Sequence, residues 1–176
     1  KGNQTALFRE LKQKETYKVE ENQTNVEYKI LTNPQEEQLD KKIQFSFTNA
    51  YTPKEIAVYL KKINRDKETL EGAEFTLYSD AEMKNAIASY TSEKAEGLLI
   101  EKLRAGTYYL KETKSPKGYR LLEGAIKIEI IREEGTGKLL VKVNGKTAEQ
   151  SEDEQIYVIT KDVGESDEVH MIVYND

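Results

Sequence analysis

The chain has 176 residues, of which 37% are hydrophobic and 34% are charged, and its 32 acidic and 27 basic side chains leave a formal net charge of −5. This composition predicts a solvated globular surface over modest cores and argues against a nucleic-acid partner. The absence of cysteine excludes disulfides and thiolate metal sites, and no apolar run approaches the roughly 20 residues that span a bilayer. We therefore expect a soluble or already processed segment with no membrane insertion.

Alternating or β-rich runs dominate the sequence and predict an all-β protein. In chain order they occupy residues 16–19, 26–31, 43–48, 56–63, 74–78, 97–100, 107–111, 125–131, 138–143, 155–159 and 169–174. Turn signals separate them, including Asn144-Gly145, the preferred pair of a two-residue type I′ hairpin. Residues 79–92 are the best candidate for a short helix or an irregular crossover. Many short strands with regular turns are typical of a sandwich or a partly open barrel.

A domain boundary is predicted at residues 50–54, where a strand ends and a linker containing Pro53 leads into a new strand. This boundary assigns residues 54–176 to one domain of about 120 residues, a comfortable size for a single core. Residues 1–53 are too few for an ordinary sandwich. We interpret them as the C-terminal part of an upstream immunoglobulin-like β domain, so that the chain would begin inside a domain.

Three apolar strand faces each end in a polar residue. Period-two alternation places Lys62 on the same face as Val58 and Leu60, and the same count places Glu112 and Asn175 on the apolar faces of the strands that lead to them. An amine, a carboxyl group and an amide would then point into one core. Burial of such groups is costly unless they are paired or neutral. A covalent reaction between them would account for their joint presence.

Other interpretations of these residues remain open. Lys62 and Glu112 could form a buried or edge salt bridge, with Asn175 a frayed terminal residue. Lys61 is the competing lysine and Asp176 is the competing acyl partner, but alternation places both on the opposite face. An isopeptide bond from the aspartate would release water instead of ammonia.

The first 53 residues repeat part of this pattern. Glu21 shares a face with Tyr17 and Val19, and Asn49 shares a face with the alternating apolar residues of 43–48. No lysine-bearing strand precedes them in the sequence. Glu21 and Asn49 are therefore a candidate second site whose lysine would come from an upstream segment or another polypeptide, and a bond within these residues is the weaker expectation.

Four sequence elements carry a family resemblance. Starting at residues 58, 70, 106 and 173, they read Val-Tyr-Leu-Lys-Lys-Ile-Asn, Leu-Glu-Gly-Ala-Glu-Phe-Thr-Leu-Tyr, Gly-Thr-Tyr-Tyr-Leu-Lys-Glu-Thr-Lys-Ser-Pro-Lys-Gly-Tyr and Val-Tyr-Asn. They resemble the collagen-adhesin B-type repeat of pilins and adhesins of Gram-positive bacteria over residues 56–176. Residues 1–53 resemble the closing half of a similar domain more weakly. The resemblance implies a transthyretin-like, inverse immunoglobulin β-sandwich.

The resemblance also implies a spontaneous isopeptide bond between a lysine of the first strand and an asparagine of the last, assisted by a glutamate. By motif position these are Lys62, Asn175 and Glu112. The chemistry is consistent with this, because burial lowers the pKa of a lysine and so favours the nucleophilic free amine. A buried carboxylic acid can stay protonated, donate a hydrogen bond to the amide carbonyl oxygen and shuttle protons while ammonia leaves. Since each molecule reacts once, we do not expect an enzyme.

The function implied is that of a structural module in a pilus subunit or surface protein of a Gram-positive bacterium, anchored outside the cell to the wall. Its expected partners are other pilus subunits or the cell wall, joined through sortase. The alternative is an adhesin module that binds a host extracellular-matrix protein or receptor. The sequence contains no phosphate-binding glycine loop and no Ser-His-Asp arrangement, and we expect neither a cofactor nor a metal site.

Overall fold

The computed structural model describes residues 6–32, 35–40, 42–93, 98–147, 156–159 and 168–175. The described part is all-β, which confirms the predicted fold class. Its strands are β1 Thr16–Val19, β2 Tyr28–Ile30, β3 Gln35–Gln38, β4 Asn49–Tyr51, β5 Ile56–Ile63, β6 Glu74–Tyr78, β7 Ala86–Thr91, β8 Leu98–Leu103, β9 Gly106–Lys114, β10 Ala125–Arg132, β11 Leu139–Val143, β12 Lys146–Thr147, β13 Ile156–Ile159 and β14 Glu168–Tyr174. Predicted strand residues 97 and 155 and the competing Asp176 lie outside the described residues.

The chain divides into two compact units, Lys1–Thr52 (unit 1) and Pro53–Asp176 (unit 2). Unit 2 contains a six-stranded sheet in the order β12-β11-β10-β9-β6-β7 and a four-stranded sheet in the order β13-β14-β5-β8. Apolar side chains from both sheets form one buried cluster, which is the arrangement of a β-sandwich. Among its fully buried members are Val58 of β5, Leu77 of β6 and Val173 of β14.

The first and last strands of unit 2 are neighbours. β5 pairs with β14 in parallel, with Lys62 opposite Val173 and Ile63 opposite Tyr174. The backbone N–H of Asn175 continues this contact by donating to the carbonyl oxygen of Ile63 at 3.1 Å. The C-terminal ends of the two strands therefore lie side by side at one end of the sandwich.

The predicted type I′ hairpin is present, since Asn144 and Gly145 both have positive φ angles, 49° and 79°, between β11 and β12. The short helix or crossover proposed for residues 79–92 is wrong. Its second half is β7, which forms an antiparallel pair with β6. The carboxylate of Asp80 accepts the backbone N–H groups of Lys84 and Asn85 at 3.1 and 2.7 Å, which holds a turn where a helix would begin.

Unit 1 contains two small antiparallel sheets, one of β1 and β3 and one of β2 and β4. β3 was not predicted, because its sequence, Gln-Glu-Glu-Gln, has no apolar face. The strand predicted at 43–48 is wrong as a paired strand: within the described residues, 42–48 belong to no β-ladder, and β4 begins only at Asn49. The alternation that suggested it is nonetheless visible in burial, with every second side chain from residue 43 to residue 47 half-buried.

Candidate functional site

Lys62 lies near the end of β5 and is almost completely buried, with 1% of its surface exposed. Its amine Nζ donates to the side-chain oxygen Oδ1 of Asn175 and, at 3.3 Å, to the backbone carbonyl of Tyr174. The ring centroid of Phe75 lies 5.8 Å from Nζ. The amine is therefore held against the last strand of the unit in an otherwise apolar setting.

Glu112 lies on β9 of the opposite sheet, where it pairs with Phe75 of β6, and it is also 1% exposed. Its Oε1 atom is 3.5 Å from the amine of Lys62 and accepts the amide Nδ2 of Asn175 at 3.2 Å. Its Oε2 atom accepts the backbone N–H of Leu122 at 2.8 Å. The carboxyl group is thus fixed by the loop that follows β9 while one oxygen faces both other side chains.

Lys62, Glu112 and Asn175 together form what we call the Lys–Glu–Asn cluster. Asn175, 3% exposed, follows β14 and contacts both partners. One oxygen of Glu112 therefore lies between the nitrogen that would attack and the nitrogen that would leave. This differs from the expectation that Glu112 donates to the carbonyl oxygen of Asn175, because in the structure that oxygen faces the amine instead.

Burial controls the electrostatics of the cluster. Loss of solvent lowers the pKa of Lys62 from 10.5 to about 8, although the neighbouring charge of Glu112 and its hydrogen bond oppose that shift. A lysine with this pKa is a free amine far more often at neutral pH than a surface lysine is. The fold therefore supplies a nucleophile next to an amide carbonyl.

Two contributors to this site were absent from the sequence-based prediction. Phe75 could have been found, since it belongs to the quoted Gly-Ala-Glu-Phe element and shares a β6 face with Leu77. The contribution of Leu122 had no sequence signal, because its backbone N–H makes the hydrogen bond and any residue except proline carries that group.

The competing lysine does not join the cluster. Lys61 is half-buried on the other face of β5, as alternation predicts. That outer face also carries Tyr59, whose ring stacks on His170 of β14 with centroids 4.8 Å apart. The ring nitrogen Nε2 of His170 is also 3.3 Å from the carboxylate of Glu168. Both of these contacts of His170 therefore lie on the outer face of the sheet.

The candidate second site in unit 1 has a related arrangement. Asn49 Nδ2 donates to Glu21 Oε1 at 2.8 Å, and Asn49 is exposed whereas Glu21 is half-buried. The structure thus brings the predicted pair together.

The described residues contain no group of three or more histidine, aspartate or glutamate side chains placed to hold a metal ion. Within the same residues there is also no helix of the length and apolarity required to cross a membrane.

Residues 57–147, just over half of the chain, match the family described as SpaA, prealbumin-like fold domain. The chain belongs to this family. This finding confirms both the family resemblance and the transthyretin-like sandwich expected from the sequence, since prealbumin and transthyretin are one fold. No curated protein sequence is significantly similar to the chain.

Solved structures support the same fold. A C-terminal fragment of the pilus adhesin SpaC from Lactobacillus rhamnosus GG is 22% identical with a TM-score of 0.56, and the match covers 85% of this chain and 58% of that one. The open conformation of SpaC from the same organism is 21% identical with a TM-score of 0.55, over 86% of this chain and 19% of that one. The chain therefore spans less than two thirds of either structure, and at these identities the likeness establishes the fold.

Proposed function

We propose that unit 2 is a structural module of a Gram-positive pilus subunit or surface protein, locked by an intramolecular isopeptide bond between Lys62 and Asn175 that Glu112 promotes. The observation that carries this proposal is the buried contact between the Lys62 amine and the Asn175 amide, with the Glu112 carboxyl group touching both. In the family setting, the module would lie outside the cell, with other pilus subunits or the sortase-processed cell wall as its partners.

The geometry supports a sequence of proton and bond transfers. The free amine of Lys62 attacks the side-chain carbonyl carbon of Asn175, and Glu112 Oε1 takes the proton that the amine loses. The same oxygen, 3.2 Å from Nδ2, returns a proton to that nitrogen, which leaves as ammonia when its bond to carbon breaks. Because the groups are preassembled by folding, proximity supplies a large part of the acceleration.

A salt bridge alone is a poorer account of these contacts. Lys62 Nζ and Glu112 Oε1 are 3.5 Å apart, while the amine makes its closest contact with the uncharged amide of Asn175. The free-energy cost of transferring two charges from water into the core exceeds the attraction between charges at this distance. Conversion of the amine and the amide into a neutral amide link removes the buried ammonium altogether.

The bond would carry mechanical load. It would join residues 113 positions apart in the chain, at the adjacent C-terminal ends of two parallel strands. Tension that enters at the start of β5 would pass along that strand to Lys62, cross to Asn175 and leave the unit. The rest of the sandwich would lie outside the loaded path, which suits a module in an extended surface structure.

Intact mass under denaturing conditions tests this proposal. We expect the wild-type chain to be lighter than its sequence mass by one ammonia, and fragmentation to recover the peptides of Lys62 and Asn175 as one species. Glu112→Ala should keep the full sequence mass, and so should Asn175→Ala. Lys61→Arg, on the opposite face of β5, is the matched control and should lose ammonia as wild type does.

A wild-type chain of full mass would contradict the proposal. So would a mass deficit that maps to a residue pair other than Lys62 and Asn175.

A further inference from the structure

The loop between β9 and β10, residues 115–124, contacts the Lys–Glu–Asn cluster through its backbone. The N–H of Leu122 donates to Oε2 of Glu112 at 2.8 Å. The other oxygen of that carboxyl group, Oε1, faces Lys62 and Asn175. The position of the loop therefore fixes the direction in which the second oxygen points.

The sequence Pro-Lys-Gly-Tyr gives this loop a defined conformation. Pro116 is buried, and its carbonyl oxygen accepts the backbone N–H of Tyr119 at 3.1 Å, which closes a four-residue turn. Gly118, the third residue of the turn, has a φ angle of 92°, as a type II turn requires. Tyr119 is thus held at a defined point of the loop, three residues before Leu122.

The side chain of Tyr119 contacts the segment that follows β5. Its hydroxyl accepts Nδ2 of Asn64 at 3.3 Å, and Asn64 is 7% exposed and lies two residues after Lys62. Nδ2 of Asn64 also donates to Oε2 of Glu68, and Oδ1 accepts the backbone N–H of Glu68, both at 2.9 Å. Since both ends of this amide are hydrogen-bonded, Asn64 presents the tyrosine with a donor of fixed orientation.

The segment after β5 also holds the backbone of the attacking residue. The chain turns back after Asn64, and the N–H of Leu70 donates to the carbonyl oxygen of Lys62 at 2.8 Å. The hydrogen bond between Tyr119 and Asn64 therefore joins a loop bound to Glu112 with a turn bound to Lys62. Because β9 and β5 belong to different sheets, this hydrogen bond connects the two layers next to the cluster.

We propose that Tyr119 and Asn64 are positioning residues for bond formation, whose hydrogen bond holds the β9–β10 loop against the end of β5 and thereby sets the distance between Glu112 and the Lys62 amine. That distance is 3.5 Å from Oε1 to Nζ, which leaves little room for a longer one in a direct proton transfer. Both residues act through the loop and the turn and not on the reacting atoms. The inference rests on the proposed bond between Lys62 and Asn175.

The rate of ammonia loss in Tyr119→Phe tests this inference, because the substitution removes the hydroxyl and keeps the ring. The whole 176-residue chain would be assembled by chemical ligation in denaturant and refolded, with circular dichroism to verify the fold. Samples returned to denaturant at intervals would give the rate by intact mass spectrometry. Tyr109→Phe is the matched control, since it removes a half-buried hydroxyl-bearing side chain's polar group from the outer face of β9, the strand that carries Glu112.

We expect Tyr119→Phe to lower the rate by about tenfold to a hundredfold at every pH, since a misplacement of about 1 Å can have an effect of that size. The midpoint of its pH–rate profile should stay at the wild-type value, near the Lys62 pKa of about 8. A loss of stability alone would loosen the core, hydrate the amine and move the midpoint upward. Tyr109→Phe should react at the wild-type rate. A Tyr119→Phe chain with the wild-type rate, or with a midpoint moved upward, would overturn the inference.

Asn64→Ala removes the same hydrogen bond from the other side. If that bond is what positions the cluster, the double variant Asn64→Ala/Tyr119→Phe should react no more slowly than Asn64→Ala alone. Rate losses that multiply in the double variant would contradict the inference. A wild-type chain that loses no ammonia contradicts the Lys62–Asn175 proposal, whereas wild-type and Tyr119→Phe chains that react equally fast contradict the positioning role alone.

Discussion

The two units of this chain present one side-chain pair in two settings. In unit 2 the asparagine and glutamate are 3% and 1% exposed, and a third strand places a lysine against them. In unit 1 the asparagine is exposed and the unit has one buried hydrophobic side chain among its described residues. The difference between the two settings is burial, because in unit 2 the strand that brings the lysine also excludes the water that would keep its amine protonated.

Removal of the proposed bond from unit 2 should have the largest effect. In Lys62→Met, a side chain of similar length replaces the amine without a buried charge, so the loss should chiefly reflect the bond. The chain-entropy relation for a crosslink over 113 residues gives a loss of about 5 kcal/mol in the free energy of unfolding. Guanidinium denaturation, followed by tyrosine fluorescence, measures it.

Lys61→Met is the control for that experiment, since Lys61 occupies the same strand on the half-buried outer face. It should change the free energy of unfolding by about 0.5 kcal/mol or less. Equal stability of the Lys62→Met and Lys61→Met chains would remove the distinction we draw between the two faces of β5.

The rate of bond formation should depend on pH through the amine of Lys62. The pKa of this amine is lowered to about 8 by burial, so the free-amine fraction, and with it the rate, should fall about tenfold for each pH unit below that value and level off above it. A chain assembled by chemical ligation in denaturant and then refolded at several pH values would give the rate from the loss of ammonia. A rate that keeps rising toward pH 10 would show that the amine is solvated.

The same pKa fixes how the stability of the unreacted chain varies with pH. The folded state holds its Lys62 proton more weakly than the unfolded state, whose pKa is near 10.5. Between pH values of about 8 and 10.5 the unfolded state therefore binds more protons, and stability should rise with pH across that window. Below a pH of about 8 both states hold the proton, and the full free-energy cost of burying the ammonium opposes folding.

The sequence predicted much of unit 2 because its strands have one buried face. Alternation predicted the first and last residues of β5 and β6 correctly, and it also placed Lys62 and Lys61 on opposite faces of β5. The approach failed at β7, where the alanines of Ala-Ile-Ala-Ser-Tyr-Thr were compatible with a helix and only pairing with β6 made the segment a strand. Local preference was overridden there by a neighbouring strand.

Unit 1 shows the opposite failure. Residues 43–48 have the alternation of a strand, yet in the described structure they belong to no β-ladder, and the backbone N–H groups of Ser46 and Thr48 donate to side chains instead, whereas the polar β3 is paired with β1. Pairing depends on which backbone lies alongside, and a single sequence does not contain that information for a segment of this kind. The hydrogen bond from Leu122 to Glu112 could not be predicted for a similar reason, since it depends on the path of a loop.

Substitution of the unit 1 pair should have the smallest effect on the chain alone. Asn49 is exposed, and its hydrogen bond to Glu21 competes with water, so Asn49→Ala should lower the stability of unit 1 by about 0.5 kcal/mol or less. Asn175→Ala in the Lys62→Met background is the matched comparison, where loss of the amide leaves the buried Oε1 atom of Glu112 without that donor and should cost about 1–3 kcal/mol. Hydrogen exchange of the amides around each asparagine measures both effects. Equal protection losses would mean that the two pairs are equally buried in solution.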